Sequence, residues 1–280
     1  MGKIGSSALR LPRLTQRVVS STNILDQADS AFQIIDYFPT FAPSVFFHNL
    51  IRTVLVVFNN QYRIKRTKHL LKSIPTAKMR GQASNSQQPD FGTYHHSTPR
   101  ASQNIRQKVK MLFTKVFSNL PFAYDDSLKI LDVGCGLGFL SCVCAGYYPK
   151  ARITGFDTFE HASLKESSLA KTNNNAKTLG FSERIRFQKG DVFSSDYSKG
   201  KYDLFVSNLV FHNLARKRIN AYEILAHWMM PRSYLVLGDL FFDYKTDFRR
   251  LTSHFGNVEK INCFNIGRQY KMLVLSDPRK

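Results

Sequence analysis

Residues 129–141, KILDVGCGLGFLS, constrain the fold of this 280-residue chain more than any other stretch. Ile130-Leu131-Asp132-Val133 is a short run, apolar but for one acid, bounded by a lysine and by glycines. That is the pattern of a buried parallel strand entering a tight turn. Gly134, Gly136 and Gly138 make the turn, and Phe139, Leu140, Cys142, Val143 and Ala145 continue as a mostly apolar helix. A strand, a glycine turn and a helix in succession let backbone approach a ligand closely and aim helix N–H groups at it.

The glycine spacing selects the ligand. A dinucleotide fingerprint needs its third glycine at position 139, where this chain has Phe139; the third glycine comes one residue early, at Gly138. Asp132 lies two residues before the first. Taken together, DVGCGLG resembles the first motif of class I S-adenosylmethionine-dependent methyltransferases, and later segments extend the resemblance over residues 102–280. It implies an α/β fold, a Rossmann-like doubly wound sheet of seven strands. The sheet is mostly parallel with one antiparallel strand, and the cofactor is S-adenosyl-L-methionine.

Alternating strands and helices are expected along that region. Helices are read over 102–117, 163–179, 216–228 and 246–255. Strands are read over 152–156, 185–189, 202–207, 234–237, 258–264 and 269–276, the last two as a closing hairpin. The resemblance implies that the cofactor is held by Asp132, Gly134, Cys135, Gly136 and Gly138 of the first motif. Asp157 and Thr158 follow the second strand, where an acid can accept both ribose hydroxyls. Asp191 and Val192 follow the third, where the acid accepts from the exocyclic amine of adenine, with Val192 and Phe193 flanking the ring.

Asn208-Leu209-Val210-Phe211-His212-Asn213-Leu214 corresponds to the fourth motif of the family, where methyl transfer takes place. Members acting on base amines or on glutamine often carry Pro-Pro-aromatic after the Asn. This chain lacks those prolines and looks more like the small-molecule branch. His212 is the first candidate for a general base, with Asn208, which the resemblance also places on the cofactor, beside it and His95, His96 and Asp239 behind. Phe211, Phe241 and Phe242 follow strand ends and are expected either to wall the acceptor pocket or to join the core. No metal site is expected.

Upstream, residues 1–100 read as a basic helical extension and linker, with the catalytic domain at 101–280. Residues 44–62 have the period of an amphipathic helix, suited to packing on the domain or to lying in a membrane interface. A turn-rich segment, 75–100, carries Tyr94, His95 and His96. Residues 1–25 hold four basic side chains, four serines and no acid, the composition of a disordered basic tail or of a mitochondrial presequence. The four cysteines have no CxxC spacing, which excludes an obvious zinc or disulfide framework and suits the cytoplasm.

Forty Lys and Arg against twenty Asp and Glu give a net charge of +20. By count, residues 1–130 hold 18 basic and 6 acidic side chains, and residues 131–280 hold 22 and 14. Such a front end suits an anionic partner, or it serves solubility. The partner expected is a small-molecule or lipid-like substrate, with peripheral membrane or other anionic-surface contact. RNA or protein acceptors and a non-catalytic cofactor-binding role stand as alternatives.

Overall fold

The computed structural model describes residues 88–161, 164, 166–262 and 266–279. The predicted helix at 44–62 and the basic stretch at 1–25 lie outside the described residues. Twelve helices and strands follow one another: α1 Pro99–Phe117, β1 Lys129–Val133, α2 Phe139–Tyr147, β2 Arg152–Asp157, α3 Leu169–Thr178, β3 Ile185–Lys189, β4 Leu204–Asn208, α4 Arg218–Trp228, β5 Tyr234–Leu240, α5 Tyr244–His254, β6 Phe255–Ile261 and β7 Tyr270–Pro278. A 3₁₀ segment, Phe211–Lys217, joins β4 to α4.

All seven strands form one sheet in the order β3-β2-β1-β4-β5-β7-β6. Only β7 runs antiparallel, pairing with β5 on one side and β6 on the other. Successive side chains of a strand point to opposite faces, and this sequence places apolar groups on both. Ile130, Leu204, Val206 and Val236 enter the core beneath α1, α2 and α3. Their neighbours Leu131, Phe205, Leu235 and Leu237 enter the second core, beneath α4 and α5. That is why β1, β4 and β5 read as continuous apolar runs.

Strand order reverses between β1 and β4, so their carboxyl ends open a crevice, the usual ligand site of such sheets. Several predicted element starts differ from the structure by a few residues, and for two of them the cap gives the reason. Helix α1 begins at Pro99, three residues earlier than expected, because Thr98 Oγ1 caps it by accepting from Ala101 N–H and proline suits the first turn. Helix α3 begins at Leu169 rather than 163, because Ser168 caps it instead.

The segment ahead of α1 is not a free linker. Asp90 exchanges two hydrogen bonds with the Asn175 side chain, at 2.8 Å each. Tyr94 N–H donates to Ser102 Oγ, Tyr94 bridges to Leu164, and the Phe91 ring meets Phe139 edge-on at 5.4 Å. Residues 90–97 therefore form a strap across the domain, and the expected boundary at 100/101 falls after it, inside α1.

Candidate active site

Turns leaving the carboxyl ends of β1 to β5 and the strap enclose a cleft of about 760 Å³, within the range of about 300–1,000 Å³ common for ligand pockets. The glycine turn forms its floor. Gly134 has φ 71°, and a Cβ there would lie 2.5 Å from Val210, so this turn and the segment after β4 approach as closely as backbone permits. Asp132, Gly134, Cys135 and Gly136 all line the cleft. Gly138 lies just behind that lining. It opens α2 in the left-handed conformation, φ 81°, and its missing Cβ makes room for Phe187, which would lie 2.7 Å away.

Asp157 ends β2 and braces the turn. Oδ2 accepts from Gly136 N–H at 2.9 Å and Oδ1 from Phe159 N–H at 2.8 Å. Each carboxylate oxygen carries two lone pairs, so both keep capacity for a ligand hydroxyl. Asp157 is no helix cap, and the chain after it forms a tight turn. Thr158, Asp191 and Val192 line the same wall, with Asp191 Oδ1 held by Phe193 N–H at 3.0 Å. Phe193 itself faces out, 39% exposed, beside the Lys217 ammonium.

The acceptor side is built from β4 and β5. Asp239 is 1% exposed, and Oδ2 accepts from the backbone N–H groups of Phe211 at 2.6 Å and His212 at 3.3 Å. Its Oδ1 meets His212 Nδ1 at 2.6 Å. With the proton on Nδ1, Nε2 is left as the accepting nitrogen. Asp239 is thus saturated within the protein and fixes the orientation of the His212 ring. Asn208 Oδ1 accepts from the Tyr270 hydroxyl at 2.9 Å. His95 and His96 stand on the strap at the rim, with ring centroids 3.7 Å apart. Of the three phenylalanines, only Phe211 lines the cleft; Phe241 is packed in the core and Phe242 is 70% exposed.

One residue on this wall had no signal in the sequence. Arg106 of α1 is 7% exposed and lines the cleft, with Nη2 donating to the carbonyls of Phe91 (2.9 Å) and Gly92. In sequence it is one more basic residue on an amphipathic helix, and only tertiary placement shows its direction. Cys135, Cys142 and Cys144 are free and buried. Burial pushes their thiols above the usual range, Cys142 to about 12, so none is an active nucleophile. Among the described residues, no group of three or more His, Cys, Asp or Glu side chains could hold a metal ion. No helix among them is long and apolar enough to cross a membrane.

A family model described as a methyltransferase domain matches residues 124–267. The chain belongs to that family, and its domain is that of a class I S-adenosylmethionine-dependent methyltransferase with S-adenosyl-L-methionine as cofactor. Among curated relatives, it is 34% identical over 102 residues to ribosomal RNA small subunit methyltransferase C of Citrobacter koseri, covering 35% of this chain and 26% of that protein. It is 28% identical over 110 residues to a malonyl-[acyl-carrier protein] O-methyltransferase of Legionella pneumophila, covering 39% and 36%. Both matches therefore span well under half of the relative's length. Among solved structures it resembles a TehB-like methyltransferase from Corynebacterium glutamicum, with a TM-score of 0.44 and 17% identity, over 64% of this chain and 100% of that one.

The residues present fit the cofactor. A glycine-rich turn that lets backbone come close, followed by carboxylates with spare lone pairs at Asp157 and Asp191, suits ribose hydroxyls and a base amine.

Proposed function

We propose that this protein transfers the methyl group of S-adenosyl-L-methionine to a hydroxyl of a small, partly apolar or lipid-like acceptor, with His212 as general base. The observation that carries the reading is the His212–Asp239 pair at the rim of β4 and β5. When bound, the cofactor supplies a methyl group already made electrophilic by a sulfonium. The chain's own residues must then orient the acceptor, exclude water and take its proton. With Nδ1 committed to Asp239, His212 Nε2 takes that proton, and Asp239 stabilises the imidazolium that results.

Asn208 supports an oxygen acceptor. Its Oδ1 accepts from the Tyr270 hydroxyl, which orients the amide so that its N–H groups can donate to a lone pair of an acceptor oxygen. Without prolines after Asn208, the turn associated with methylation of base amines and glutamine is also missing. The unpaired cysteines among the described residues suit a cytoplasmic setting.

The net charge of +20 and the resemblance to an RNA methyltransferase favour a second reading, with RNA as acceptor. Parallel methyl-transfer assays on total RNA, protein, and lipid plus metabolite fractions separate the two. We expect label in the lipid and metabolite fractions. His212→Ala should lower kcat by about 10²–10⁴-fold, the usual contribution of a general base, while S-adenosylhomocysteine binds as before. Robust labelling of RNA, lost with added salt as phosphate contacts are screened, would replace our reading with the second.

A further inference from the structure

Arg106 carries a charge that the proposed transfer leaves unused. Its Nη1 is buried and makes no hydrogen bond. Nη2 is committed to the strap carbonyls of Phe91 and Gly92, and the guanidinium carbon lies 4.9 Å from the centroid of the Tyr94 ring. No carboxylate among the described residues forms an ion pair with it. Asp90, which acts on Arg106 through space, is itself bonded to Lys171 at 2.7 Å. Arginine stays protonated in proteins, and a buried cation without a counterion is costly. The arrangement is incomplete until an anion enters the cleft.

We propose that Arg106 holds the carboxylate at the amino-acid end of the cofactor, and that this contact latches the strap at 90–97 over the cleft. The inference rests on the cofactor reading above. A ligand with its base at Asp191 and its ribose at Asp157 directs its remaining arm past the glycine turn, towards α1. There the strap packs on the turn: a Cβ on Gly92 would lie 2.9 Å from Leu137, and Phe91 meets Phe139. One planar guanidinium then serves two partners, strap carbonyls through Nη2 and a carboxylate oxygen through Nη1. His95 and His96 ride on the same strap, so the contact also steadies the acceptor's rim.

Calorimetry on the full chain tests this with two ligands, S-adenosylhomocysteine and its decarboxylated analogue, which keeps the ammonium and lacks only the carboxylate. The wild-type protein should prefer the former by about 10- to 150-fold, the affinity equivalent of a charge-assisted hydrogen bond. Arg106→Gln should bind both alike, and Arg106→Lys should keep part of the preference. Hydrogen exchange of amides 92–97 should slow with S-adenosylhomocysteine and not with the analogue. If Arg106→Gln fails to fold, the wild-type ligand pair and its exchange profile still decide. Equal binding of the two ligands by the wild type, or an undiminished preference in Arg106→Gln, removes the latch while the cofactor reading stands. Failure of the wild type to bind either ligand removes both.

Discussion

Asp132 sits at the centre of the glycine motif, yet what it offers the ligand is set by burial more than by charge. It is 1% exposed, and its Oδ2 accepts from the Ser141 hydroxyl at 2.5 Å. Burial raises its pKa to about 7; the Ser141 hydrogen bonds oppose the rise, and the charge of Asp157 adds to it. In the unfolded chain an aspartate titrates near ~3.9. Between about pH 4 and pH 7 the unfolded state has lost this proton while the folded state keeps it. Stability from this group is therefore greatest below about pH 4 and falls as pH rises towards 7. A shift of about three units corresponds to about 4 kcal/mol against the charged form. We expect Asp132→Asn to match the wild type near pH 4 and to become the more stable of the two by pH 8, by up to that amount. Urea unfolding of both apoproteins at several pH values measures the difference, and parallel curves would mean that Asp132 titrates normally.

Among the elements, strands and turns were legible and partnerships were not. The continuous apolar runs of β1, β4 and β5 announce strands buried on both faces, and Gly134 with Gly136 announces the turn. Ser168 capping α3 escaped because an equally suitable serine stands at position 163. The strap escaped because Pro89, Gly92 and Ser97 look like linker, while its anchors Asn175 and Arg106 lie 85 and 14–15 residues away. His212 and Asp239 each stand out in the sequence, but their pairing depends on β4 lying beside β5. A second hidden partnership joins α4 to α5. Asp247, 1% exposed, accepts from Arg218 Nε at 2.6 Å and Nη2 at 3.2 Å, and from the Tyr222 hydroxyl at 3.3 Å. Arg218 Nη1 also holds the carbonyl of Ala215, whose φ of 48° and ψ of −128° are strained for alanine. The pair thus braces the segment that carries His212. Removing one partner of a buried pair costs about 3–5 kcal/mol; since Arg218 can reach water, Asp247→Ala should cost about 2–3 kcal/mol. Urea unfolding measures that loss, and kcat should fall further than KM rises as the 211–217 segment loosens. An unchanged kcat in the folded variant would confine the pair to stability.

At the scale of the whole molecule, charge and chemistry divide along the chain. By count, residues 1–87 hold 12 basic and 3 acidic side chains, so they carry +9 of the net +20. Among the described residues, the cleft draws its lining from Phe91 onward. A domain defined by its sheet alone would begin near Ala101, but that cut removes the carbonyls that hold Arg106 Nη2 and uncovers Phe139. It also breaks both bonds between Asp90 and Asn175, whose amide braces the glycine turn through the Leu137 carbonyl at 3.0 Å. We therefore expect a chain beginning at Gln88 to bind S-adenosylhomocysteine within about twofold of the full protein. A chain beginning at Ala101 should lose at least about tenfold, since Arg106 and the turn lose partners each worth about 1 kcal/mol or more. Titration calorimetry on the three proteins, with unfolding curves to confirm that each is folded, reads the outcome. If the Ala101 chain binds as tightly as the longer two, the strap serves only the acceptor. A Gln88 chain that fails to bind would instead mean that the basic first 87 residues help to build the cofactor site itself.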